Sequence, residues 1–89
     1  MTTRASIDSF LQRCDNILSQ AQEQFTEGHL QGHYHDEEYG EALGSVEEVY
    51  NELLQLYNSA NSQQREILDR KRFQIQQLQN QMILLNHDR

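Results

Sequence analysis

The residues with the greatest capacity for chemistry lie close together: His29, His33, His35 and Asp36, within the run 28–38, GHLQGHYHDEE. Neutral imidazole is a common ligand for zinc, nickel and copper, and a carboxylate can complete the shell. These four residues can therefore hold a divalent transition metal if the segment folds inward. The spacing is permissive only. It matches neither the His-Glu-x-x-His helix motif of zinc proteases nor the paired cysteines of a zinc finger. The plainer use of the same residues is a solvated loop whose histidines cap one helix or bond to carboxylates at the start of the next, and the composition favours it. Histidine titrates near pH 6.5, so the cluster also has the chemistry of a sensor of mild acidity.

Cys14 is the single thiol of the chain and cannot form an intramolecular disulfide. It falls in the middle of an apolar stripe, so packing is expected of it rather than reactivity. The sequence has no glycine-rich phosphate loop, no nucleophile elbow and no Glu-x-x-His pair repeated on helices as in di-iron bundles. No catalytic activity and no resident cofactor are expected.

Positioning falls to three apolar-periodic segments. From about residue 3 to 27, Ile7, Phe10, Leu11, Cys14, Ile17, Leu18, Ala21 and Phe25 recur in steps of three and four. At about 100° per residue they form one stripe roughly 120° wide, the mark of an amphipathic helix. Thr3 or Ser6 can cap it, and Gly28 can end it in the left-handed conformation. A second helix, 36–58, opens with Asp36 as cap and with Glu37 and Glu38 at the positive end of the helix dipole. Its stripe runs from Tyr39 to Ala60 through Leu43, Val46, Tyr50 and Leu53; it is about 160° wide, broad enough to touch two neighbours and so to be central. Tyr39, Tyr50 and Tyr57 share that side, where a ring can be buried and its hydroxyl reach the rim. A third helix, 63–86, aligns Ile67, Leu68, Ile75, Leu78, Met82 and Leu85, with the stem of Lys71 beside them.

The polar run 58–62 (NSANS), with Asn61 or Ser62 as cap, predicts a turn between the second and third helices. The seven-residue frame of Tyr39, Val46, Leu53 and Ala60 supports a break, because the apolar frame resumes at Leu68, Ile75 and Met82, one position late. One long bent helix is the alternative. The expected fold is all-α: a single domain over 1–89, an antiparallel three-helix bundle or a helical hairpin with a bent long second arm, as a monomer or a dimer. A chain of 89 residues buries a smaller fraction of its surface than a typical domain, so self-association would add stability.

Seven Lys and Arg stand against fourteen Asp and Glu, a net charge of -7. That balance opposes binding to nucleic acid or to an anionic membrane, both of which begin with neutralising phosphate. No apolar run approaches the roughly 20 residues that cross a bilayer, and no signal peptide opens the chain, so the cytoplasm is the expected location. The segment 36–52 carries seven acids and no base, whereas Arg65, Arg70, Lys71 and Arg72 cluster early in the third helix. Antiparallel packing is expected to bring those bases towards Glu48 and Glu52, helping orientation more than stability.

Phe73 and Leu84 lie nearly opposite the stripe of the third helix, and Ile83 lies between. A terminal helix needs one stripe to join a three-helix core, so these three residues are surplus. Two uses are open to them: simple exposure on the surface, or pairing with a second copy or a helical partner protein, in the manner of a coiled coil, with Gln74, Gln76, Gln77, Gln79 and Gln81 as an uncharged rim. Noncatalytic helical association is the expected function. Metal binding through the histidine segment is the alternative.

The stretches 32–39 (GHYHDEEY), 59–66 (SANSQQRE) and 77–85 (QLQNQMILL) resemble the YtzC-like family of small, uncharacterised proteins from spore-forming Gram-positive bacteria. The resemblance spans nearly the whole chain. It implies a bacterial, cytoplasmic, helical protein, and it brings no activity and no site residues.

Overall fold

Thr3 opens the first helix. Its Oγ1 accepts from the backbone N–H of Ser6 at 3.0 Å and donates to the Ser6 hydroxyl at 2.9 Å, while its carbonyl takes the first helical bond from Ile7 at 3.1 Å. That is an N-cap satisfying amides that have no partner within the helix. The structure, a computed structural model, describes residues 3–31 and 37–87, with the side chains of 3–26 and 37–84. Helix α1 spans Arg4–Gln31, α2 spans Glu37–Asn58 and α3 spans Ser62–His87, and no strand occurs among the described residues. α1 continues through Gly28 to Gln31, where the sequence predicts a stop near 27. Glycine in a helix interior costs about 1 kcal/mol relative to alanine, which is a penalty and not a barrier.

The turn between α2 and α3 is built from three sets of bonds. Ser59 N–H donates to the Leu56 carbonyl at 3.2 Å and Ala60 N–H to the Tyr57 carbonyl at 3.3 Å, tightening the last turn of α2. Asn61 then caps α3: its Oδ1 accepts from Gln64 N–H at 2.9 Å, and Gln64 Oε1 accepts from Asn61 N–H at 3.0 Å. This reciprocal pair is a capping box, and it gives α3 a start of its own. Third, Arg65 Nε donates to the Tyr57 carbonyl at 3.1 Å, its guanidinium lies 5.0 Å from the centre of the Tyr57 ring, and the Tyr57 hydroxyl donates to Asp69 at 3.4 Å. The chain therefore has two separate helices here, not one bent arm.

Cross-helix partners fix the topology. Tyr39 meets Met82, Tyr50 meets Gln76 and Tyr57 meets Asp69, so α2 and α3 run in opposite directions. Arg13 meets Glu52 while Gln24 shares a groove with Glu38 and Glu41, which sets α1 antiparallel to α2; Asp15 meets Lys71 while Gln22 shares a groove with Gln81, which sets α1 parallel to α3. The result is an up-down-up three-helix bundle. The 28 residues of α1 would measure about 42 Å at a rise of 1.5 Å, against a long dimension of 43 Å, so one helix spans the whole molecule.

The core is made of residues seven apart on each helix. Ile7, Cys14 and Ala21 of α1, Tyr39, Val46 and Leu53 of α2, and Leu68, Ile75 and Met82 of α3 are all buried, with Phe10, Val49, Ala60 and Leu78 completing the interior. Leu11, Ile17, Leu18 and Phe25 are partly buried against them. The turn absorbs the one-residue shift between the frames of α2 and α3. Ile67 departs from expectation: it is 43% exposed, because its neighbour Leu68 takes the buried place and adjacent helical residues lie about 100° apart. The side chain of Leu85 lies outside the described residues.

The ion pairs also differ from expectation. Glu52 is answered from α1, not α3: both guanidinium nitrogens of Arg13 bond to its carboxylate, Nη1 to Oε1 at 2.7 Å. Lys71 bonds to Asp15 Oδ1 at 2.5 Å, its stem lying along the bundle and its ammonium emerging at the rim. Long flexible side chains reach whichever carboxylate the packing brings near, and periodicity does not encode that choice.

Candidate interaction surface

Phe73 is 63% exposed, Leu84 68% and Ile83 36%, so the three surplus residues of α3 are left uncovered by the bundle. Phe73 and Leu84 are eleven positions apart, three turns, which returns them to the same side of the helix about 16 Å from each other. Ile83 is turned from Leu84 by about 100°, towards α2. The structure thus places Ile83 and Leu84 side by side near the end of α3, with Phe73 as a separate apolar point. Leu54 of α2, 37% exposed, joins the uncovered residues.

The glutamine rim divides between two flanks. Gln74, Gln77 and Gln81 line an open groove of about 510 Å³ between α3 and α1, with Gln22, Leu18 and Leu78. Gln76 lies on the other flank, where its amide donates to the Tyr50 hydroxyl at 3.2 Å. A second open groove, between α1 and α2, is lined by Glu23, Glu38 and Glu41 among others. These are surface furrows between rods, suited to side chains of another helix more than to an enclosed small molecule.

The histidine segment is only partly within the described residues. His29 lies on the backbone of α1, and its side chain is outside them; His33, His35 and Asp36 are outside them altogether. Among the described residues no group of three or more His, Cys, Asp or Glu side chains could hold a metal ion. Cys14 is fully buried, and burial pushes its thiol up to about 11, against a smaller opposing pull from Lys71. A thiol so held is a packing group and not a nucleophile.

Two features carry no periodic signal and escape a reading of the stripes. One is the clamp between Arg13 and Glu52, which holds the Glu52 carboxyl below its ordinary value mainly through the hydrogen bonds from Arg13. The other is the pair Gly40 and Gly44, inside α2, where an added Cβ would meet nothing within 4 Å among the described residues. Their spacing of four is visible in the sequence, but its meaning depends on knowing that nothing approaches them.

A family model described as "Protein of unknown function (DUF2524)" matches residues 1–84. The chain belongs to this family. A relative, "Uncharacterized protein YtzC" of Bacillus subtilis (strain 168), is 46% identical over 84 residues, covering 94% of this chain and 93% of that protein. The resemblance to YtzC-like proteins is therefore shown. No solved structure matches. Membership in the DUF2524 family carries no activity with it, so the functional reading rests on the surface. No described helix is long and apolar enough to cross a membrane.

Proposed function

We propose that this protein is noncatalytic and acts by helical association, offering the uncovered side of α3 to a second copy or to another helical protein. One observation carries the reading: Phe73 and Leu84 share a side of α3 and are each more than three-fifths exposed, in a bundle that already fills its core without them. Burying such residues is worth up to about 1.5 to 3 kcal/mol each, which contributes to association without carrying it alone. The grooves at the described residues are open furrows between helices, a shape that suits a protein surface more than an enclosed small molecule. Cys14, kept as a buried thiol, suits a reducing compartment such as the cytoplasm.

The test is light scattering and affinity purification of the wild type beside Phe73→Ser/Leu84→Ser. Both positions are exposed, so the double variant should stay folded by circular dichroism. Association is expected to be lost in it, either as a fall in mass or as release of a copurifying protein. A wild type that is monomeric and alone, or a double variant that binds as the wild type does, rejects the reading.

A further inference from the structure

The first helix is not held equally along its length. Its first half buries Ile7, Phe10 and Cys14, each 3% exposed or less, with Leu11 partly buried beside them. Beyond Asp15, Ala21 is the one fully buried side chain among the described residues of α1, and Ile17, Leu18 and Phe25 are partly buried. Apolar stabilisation scales with the area removed from water, and an alanine methyl removes little. The first half is therefore the better anchored.

Ion pairs follow the same division. Arg13 bonds to Glu52 of α2 and Asp15 bonds to Lys71 of α3, so one turn of α1 is fastened on both flanks, with Cys14 filling the core between them. Beyond Asp15 no ion pair among the described residues reaches α1. The other two helices are tied to each other along their length, through Tyr39, Tyr50 and Tyr57.

Open furrows flank the second half of α1 on both sides. One, of about 510 Å³, runs between Leu18 and Gln22 and the glutamines Gln77 and Gln81 of α3. The other, of about 450 Å³, has carboxylates on both walls: Glu23 of α1 on one, Glu38 and Glu41 of α2 on the other. No lysine or arginine among the described residues lies beyond Arg13 on α1, on α2, or beyond Arg72 on α3. Like charges across a seam with no cation between them repel, and they push the two walls apart.

We infer that α1 is divided at Asp15 into a fixed anchor, residues 4–15, and a flap from Asn16 onward that opens from the α2–α3 pair on its own. Local openings below the cost of global unfolding occur where buried apolar contact is least, which on α1 is this stretch. Isolated helical stretches shorter than about 12 to 15 residues are marginal in water, so a flap that leaves the bundle also unwinds. Opening bares Leu78, which shares the furrow with Leu18 and Gln22. Ionic strength governs the device, because salt screens Glu23 from Glu38 and Glu41 and so favours the closed form.

The experiment is amide hydrogen exchange on the full chain, followed by NMR at about 20 and about 300 mM sodium chloride. Protection should be even over residues 18–26, step up at Asp15, and be at least about tenfold lower in the flap than over residues 8–14. High salt should raise protection in the flap alone. Glu23→Gln, a change nearly neutral for helix propensity, should do the same at low salt, whereas Glu47→Gln, which is outside the furrow, should not. A second readout is thiol labelling: Ala21→Cys in a Cys14→Ala background should react with dithiodipyridine at least about tenfold faster than Cys14 of the wild type, each relative to its unfolded chain. Equal protection of the two halves overturns the proposal, as does a gradual decline towards the end of α1, which is ordinary fraying. So does a flap indifferent to Glu23→Gln, or one that Glu47→Gln closes equally.

Discussion

The hydroxyl of Tyr39, in the first turns of α2, donates to the backbone carbonyl of Met82, near the end of α3, at 3.0 Å within the buried interior. The ring fills the core while its one polar atom is satisfied by a main-chain group that side-chain substitution cannot remove. Tyr39→Phe keeps the packing and loses the bond, so urea unfolding should show a loss of about 1 kcal/mol. Tyr39→Ala should cost about 3 to 5 kcal/mol, because it leaves a cavity as well. Equal losses in the two variants would show that the ring packs loosely.

The clamp between Arg13 and Glu52 predicts a pH dependence. Arg13 holds the folded-state value of Glu52 below the ordinary 4.5. A depressed carboxylate contributes stability that is fully present above the ordinary value and is lost as pH falls through the folded one. Glu52→Gln should therefore be less stable than the wild type at pH 7, with the gap closing at pH 3. A gap of constant size would mean that the pair does not couple to folding.

Cys14 predicts a dependence at the other end of the scale. Its thiol is raised from 9.0 to about 11, so below pH 9 both folded and unfolded states are protonated and pH has no effect through it. Between those values the unfolded thiol ionises first, and stability falls as pH rises. The unfolding midpoint of the wild type should drop over that window more than that of Cys14→Ala. Dithiodipyridine at pH 8 should react with the unfolded chain and leave the native protein nearly untouched; prompt reaction in native buffer would contradict the burial.

Ile67 and Leu68 provide the sharpest test of the packing, being adjacent and chemically alike. Leu68 is fully buried and Ile67 is 43% exposed. Leu68→Ala should cost about 2 to 5 kcal/mol and Ile67→Ala about 1 kcal/mol or less. A reversed order would place the frame of α3 one residue from where it stands.

That pair also shows how far the sequence was legible. Residues recurring every three or four positions can satisfy only one helical face, so three helices, their up-down-up course and most of the buried residues follow from the stripes. Where two apolar residues are adjacent, the pattern names both and packing admits one. Composition offers Asn61 or Ser62 as the cap on α3, and geometry selects Asn61 because Gln64, three positions on, reaches back to it. Gly28 carried the chemistry of a stop, but a turn signal acts only when the local energies favour turning. The uncovered Phe73, Ile83 and Leu84 were legible because they oppose the stripe. The open glycines of α2 were not, since their significance lies in the emptiness around them.

The tight, capped turn between α2 and α3 has a kinetic consequence. Contacts between those helices are close along the chain, so the entropy of closing that loop is small, and helical bundles with such local contacts fold in microseconds to milliseconds. The α2–α3 hairpin should form in the transition state, with α1 docking onto it afterwards. Substitutions at Asn61 should slow folding, while those at Cys14 should mainly speed unfolding, and stopped-flow or temperature-jump rates distinguish the two.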